Sequence, residues 1–99
     1  MELTSKQRSY LMKLASQLSP IFQIGKASLT PEICAAVDEA LEARELIKIN
    51  VLKNCLDDGT LISEALAGRT RSQGVQVIGN KIVLYRPAKG DKKKILLPR

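Results

Sequence analysis

Residues 21–52 carry a pattern that few folds can accommodate. Ile21-Phe22-Gln23-Ile24 reads as a short strand, and Gly25-Lys26-Ala27-Ser28 follows as a tight loop. Thr30-Pro31-Glu32 then opens a helix, with Thr as N-cap, Pro at the first helical position and an acid in the first turn. Leu29 and Cys34 stand at the two positions of a hydrophobic staple. Ile33, Val37, Ala40 and Leu41 share a helix face with Arg44 and form its buried stripe. From Leu46 to Leu52, Ile47, Ile49 and Val51 alternate with Lys48 and Asn50, which predicts a second strand. A strand, a helix and a strand joined this closely need a right-handed crossover, so the two strands should be parallel.

The flanking segments complete one small α/β domain. Thr4-Ser-Lys-Gln7 has the form of a capping box. Leu11, Leu14, Ala15 and Leu18 then make one apolar stripe, with Lys6, Lys13 and Gln17 opposite and Pro20 as the stop. Asp57-Asp58-Gly59 breaks the second strand and offers an N-cap. Leu61, Ile62, Ala65 and Leu66 mark a third helix that ends between Gly68 and Ser72. Val75 to Ile78 and Lys81 to Tyr85 flank Gly79-Asn80 as a hairpin with a two-residue turn, closed by Arg86-Pro87. The predicted order is α-β-α-β-α-β-β, a four-stranded mixed sheet packed by helices. Residues 1–87 form the domain and 88–99 a basic C-terminal tail. Ile95-Leu96-Leu97 is too apolar for a purely solvated end and should dock back on the domain.

The residue inventory excludes most chemistry. There is no histidine, and Cys34 and Cys55 lack metal-ligand spacing, so neither a metal site nor a nucleophilic cysteine is expected. No phosphate-binding glycine motif of the nucleotide-binding folds is present, and no cofactor is expected. Asp57 and Asp58 read as a turn and a helix cap, and Glu39, Glu42 and Glu45 as a solvated face that repels phosphate. The longest apolar run, Ile33 to Val37, falls far short of the ~18 residues a bilayer span needs. With no apolar leader segment at the N-terminus, the expectation is a soluble, cytoplasmic, monomeric protein that is no enzyme and touches no membrane.

Charge points to the partner. Residues 1–85 hold ten Lys/Arg and nine Asp/Glu, a net of +1, whereas residues 86–99 hold six Lys/Arg against Asp91, a net of +5. A tail of this kind suits a polyanion. The loop Gly25-Lys26-Ala27-Ser28 sits between a strand and a helix N-terminus, where free backbone N–H groups favour an anion and Lys26 adds a full charge. Aromatic residues number only Tyr10, Phe22 and Tyr85, so base stacking on a sheet, as in RNA-recognition motifs and OB-folds, is not expected. The candidate RNA-binding set is Gly25, Lys26, Ala27 and Ser28, with Lys6, Lys13 and Arg8 on the first helix. Arg86 and the tail lysines Lys92, Lys93 and Lys94 complete it. The competing reading is a protein-interaction module whose tail docks an acidic partner.

Four segments together resemble a known family: Leu3-Thr-Ser-Lys-Gln-Arg8, Gly25-Lys-Ala-Ser28 with Leu29-Thr30, Ala40 to Lys48, and Val75 to Gly79 running into Leu84-Tyr-Arg86. They are similar to the CRM domain (chloroplast RNA splicing and ribosome maturation) in its standalone bacterial YhbY-like form. The resemblance implies a fold like the C-terminal domain of translation initiation factor three. It also implies RNA binding, with ribosome biogenesis and precursors of the large ribosomal subunit as the setting. In that family a G-x-x-G loop helps bind RNA. Gly25, Lys26 and Ala27 match it, while Ser28 stands at the last glycine. If that position takes a positive φ, a serine there costs about 1–2 kcal/mol.

Overall fold

The computed structural model describes residues 2–90 and 93–99. Helix α1 (Ser5–Ala15) is followed by β1 (Phe22–Ile24), α2 (Pro31–Arg44), β2 (Leu46–Val51), α3 (Gly59–Thr70) and the hairpin β3 (Gln73–Ile78) and β4 (Lys81–Tyr85). The sheet order is β1-β2-β4-β3. β1 and β2 are parallel, with Phe22 opposite Ile49, and β4 is antiparallel to both neighbours. The architecture is the four-stranded mixed α/β sheet that the sequence predicts.

Two-residue alternation divides the apolar side chains between two cores. Ile47, Ile49 and Val51 of β2 and Ile82 and Leu84 of β4 face α2 and α3, where they meet Val37, Leu41, Ile62 and Leu66. Leu46, Val83 and Tyr85 face the other way and are covered by Leu11 and Ala15 of α1. The unbroken apolar run Ile82 to Tyr85 follows from its place: β4 is an inner strand covered on both faces.

Two boundaries depart from expectation. α1 stops at Ala15, well short of Pro20, and Leu18 is 38% exposed rather than part of the stripe. The Ser16 hydroxyl bonds Lys13 O at 2.7 Å, and Gln17 and Leu18 N–H donate three residues back, to Leu14 and Ala15. This local side-chain bond and tightened turn compete with the helix ladder. β3 starts at Gln73, ahead of Val75, because Gln73 and Gly74 pair with Tyr85 and Leu84 before a bulge shifts the register. Arg8 bridges that bulge by donating to Gly74 O at 2.5 Å and Val75 O at 2.9 Å.

Glu45 is the largest correction. Expected on a solvated face, it is fully buried and takes φ 66° as the C-cap of α2. Its carboxylate accepts N–H groups from Ala88 (2.8 Å), Lys94 (2.5 Å) and Ile95 (2.7 Å). A buried carboxylate is tolerated only when so partnered. The same contacts pin the tail backbone, and Ile95 and Leu97 pack against the α1 core while Leu96 stays 83% exposed.

Candidate nucleic-acid interface

The parallel β1-α2-β2-α3 succession places both helix N-termini at the C-terminal ends of β1 and β2, the end where open α/β sheets bind ligands. β1 ends at buried Ile24, and the chain turns through Gly25 to Ser28, whose N–H donates to Gly25 O at 2.9 Å. That bond closes the turn. Among the described residues, the N–H groups of Lys26 and Ala27 at its exposed tip meet no acceptor. The loop then enters α2 through Thr30, whose Oγ1 caps Ile33 N–H at 3.2 Å.

Ser28 takes φ 56°, the left-handed conformation that a glycine would adopt freely. Its hydroxyl donates to Asp57 Oδ2 at 2.6 Å, which ties the loop to the connection leading into α3. Gly25 has no positive φ. A Cβ there would lie 3.4 Å from Asn54 Oδ1 and Leu52 Cδ1, an ordinary contact, so its smallness serves proximity to that connection.

Sequence reasoning missed two lysines at this end. Lys53, exposed, lies in the β2–α3 connection beside Asn54. Lys81 follows the hairpin turn, which the sheet brings to the same end, since Asn80 O accepts Val51 N–H at 2.7 Å. The Lys81 ammonium donates to Asn50 Oδ1 and Asn80 Oδ1 at 3.1 and 3.3 Å. The strand order could have revealed them: parallel β1 and β2 put both loops at one end, and the antiparallel β4 brings the hairpin turn there too.

The remaining predicted residues lie elsewhere. Glu45 and the tail sit at the N-terminal end of β2, roughly 17 Å from its C-terminal end at about 3.3 Å per residue. Lys93 is exposed, and the Lys94 ammonium donates to Ala43 O at 3.0 Å. Lys92 lies outside the described residues. Lys13 is exposed, and Lys6, also exposed, donates to Arg99 O at 3.2 Å, beside Gln7, which donates to Pro98 O. Arg86 is bound internally: it pairs with Asp38 at 2.6 Å and Glu42 at 3.6 Å and donates to Thr70 O at 2.7 Å. Arg8 is held on the β3 bulge. Both guanidiniums thus already have partners within the fold.

Comparison with known proteins adds a sequence frame to this geometry. The family model described as the CRS1 / YhbY (CRM) domain matches residues 3–86. A Bacillus subtilis protein named "Probable RNA-binding protein YqeI" is 50% identical over 96 residues, which is 97% of this chain and 99% of that one. A Haemophilus influenzae "RNA-binding protein" is 38% identical over 97 residues, covering 98% of this chain and 96% of the relative. The solution structure of a hypothetical protein from Staphylococcus aureus, for which RNA binding is a proposed role, superposes with a TM-score of 0.81 at 48% identity. That match covers 98% of this chain and all of the other.

Proposed function

The chain belongs to the CRS1/YhbY (CRM) domain family, and from that premise we propose that it is a non-enzymatic RNA-binding protein that engages RNA first through the Gly25–Ser28 end of its sheet. The observation that carries this reading is the pair of open N–H groups at Lys26 and Ala27, set beside the Lys26 ammonium. Such groups hold a phosphate oxygen without reading sequence. Lys53 and Lys81 extend the positive surface at the same end, and Lys6, Lys13, Lys93 and Lys94 offer secondary contacts. The RNA is a precursor of the large ribosomal subunit, on which the protein acts as an assembly factor. The family resemblance supports this finer assignment.

A gel shift with structured precursor ribosomal RNA, competed by unrelated RNA and by an acidic polypeptide, tests the reading. Gly25→Asp is the informative variant, because a Cβ fits at position 25 while the new carboxylate opposes phosphate at the loop. A folded Gly25→Asp protein should bind at least about tenfold more weakly, a difference of roughly 1.4 kcal/mol. Equal binding by parent and variant would reduce the loop to a structural turn. Displacement by the acidic polypeptide as readily as by RNA would favour an acidic protein partner.

A further inference from the structure

The groove beside the loop differs chemically from the loop itself. It is an open groove of about 340 Å³ between Ser28, at the end of the turn, and α3. Leu29, Leu61 and Ala65 supply an apolar wall, with Ser28 and Asp57 along the lining beside Arg69. Leu61, Ala65 and Arg69 follow one another at four-residue spacing, so one stripe of α3 builds this side. Leu61 is 56% exposed along this wall, and Leu56, next to Asp57 in the chain, is 89% exposed.

The charges define what fits. The Asp57 carboxylate repels a phosphate, so this groove does not simply continue the anion-binding loop. The Arg69 guanidinium touches the Cys34 sulfur at 3.5 Å through one nitrogen, which leaves its other donors available to a ligand. A carboxylate, a guanidinium and an apolar wall suit a planar, neutral ring with hydrogen-bond donors on one edge and acceptors on another. Among RNA bases, guanine has this arrangement: N1–H and the N2 amine can donate to a carboxylate, and O6 and N7 can accept from arginine. The N1–H and N2 edge is open to a carboxylate only when the base is unpaired.

We propose that this groove receives one unpaired guanine from a single-stranded RNA segment whose backbone rests on the Gly25–Ser28 loop. The inference depends on the RNA-binding reading above. It adds a base-specific contact to a surface that otherwise reads only phosphate.

Fluorescence anisotropy of the full chain with short labelled oligoribonucleotides tests it. The probes are a uridine tract with one central guanine, the same tract with adenine, and a hairpin with that guanine paired. The parent should prefer the unpaired guanine by about five- to tenfold, in the range of one good base contact. Leu61→Ser, at an exposed position, and Arg69→Gln should each abolish most of that preference and leave uridine binding and its salt dependence unchanged. Lys26→Ala should instead weaken all three probes alike. No preference for guanine, or a full preference retained in both groove variants, overturns the groove assignment while Lys26→Ala still reports on RNA binding. Absence of binding to every probe, and to structured ribosomal RNA, overturns both readings.

Discussion

The Ser28 hydroxyl donates to Asp57 Oδ2 at 2.6 Å from a backbone held at φ 56°. The conformation that a glycine would provide freely is thus kept by a serine, and a charge-assisted hydrogen bond offsets its strain. The same bond ties the Gly25–Ser28 loop to the β2–α3 connection.

Stability should separate these two effects. Ser28→Ala keeps the strained Cβ and loses the hydrogen bond, so urea unfolding should show a loss of about 1 kcal/mol. Ser28→Gly loses the same bond and sheds about 1–2 kcal/mol of strain. The glycine variant should therefore match or exceed the parent and clearly exceed the alanine variant. Equal stability of the two variants would mean that the position is not strained.

Acid should release the tail. Burial pushes the Glu45 carboxyl up, but hydrogen bonds from Ala88, Lys94 and Ile95 N–H and the nearby Lys93 charge outweigh it and hold it below 4.5. Because the folded value is the depressed one, this contribution is present above the unfolded value and is lost as pH falls through the folded one. Thermal unfolding should show stability falling below about pH 4.5, and Glu45→Gln should flatten that fall. An unchanged acid profile in the glutamine variant would place the transition on other carboxylates.

Amide exchange gives the tail a residue-level readout. Ile95 N–H is bound to Glu45 and its side chain is packed against α1, while Leu96 is 83% exposed. Protection is expected at Lys94 and Ile95 at neutral pH, with much less at Leu96, and should weaken in Glu45→Gln, whose amide keeps one accepting oxygen for the three N–H groups. Equal, rapid exchange across residues 94–96 would show an undocked tail.

The elements were legible where local signals agreed. The Thr30 cap with Pro31, the alternation from Leu46 to Val51 and the Gly79-Asn80 turn each specify their own backbone, and topology rules did the rest. Glu45 was not legible, because a glutamate after a helix reads as solvated unless the partners that bury it, forty or more residues away, are known. Lys53 and Lys81 were hidden for the same reason: their neighbourhood with Lys26 comes from the sheet order, not from spacing along the chain.

Arg86 should prove structural. Its guanidinium joins Asp38 and Glu42 of α2 to the Thr70 carbonyl at the end of α3. Asp38 is largely exposed and can be rehydrated when the arginine is removed, so the main loss is the carbonyl contact and the packing. Arg86→Ala should cost about 1–3 kcal/mol in unfolding experiments and leave the RNA affinity of the folded protein within about twofold. A large loss of affinity without loss of stability would return Arg86 to the RNA surface.

Salt dependence should distinguish the two ends of the sheet. Each phosphate neutralised contributes about 0.7 to the slope of log K against log salt on a single strand and about 0.9 on a duplex. Lys26, Lys53 and Lys81 lie at the end with open N–H groups, so changing all three to Gln should flatten the slope by about 2 to 3. The tail lysines have a less favourable setting. Lys94 donates to Ala43 O, the Lys89 N–H is bound to Glu42, and the carboxylates of Asp38, Glu42 and Glu45 lie on or beside the same stretch of α2. Those acids oppose an approaching phosphate. Changing Lys93 and Lys94 to Gln should therefore flatten the slope by less than about 1, below the value for two full phosphate contacts. The opposite ranking would make the tail the primary RNA contact and the loop end secondary.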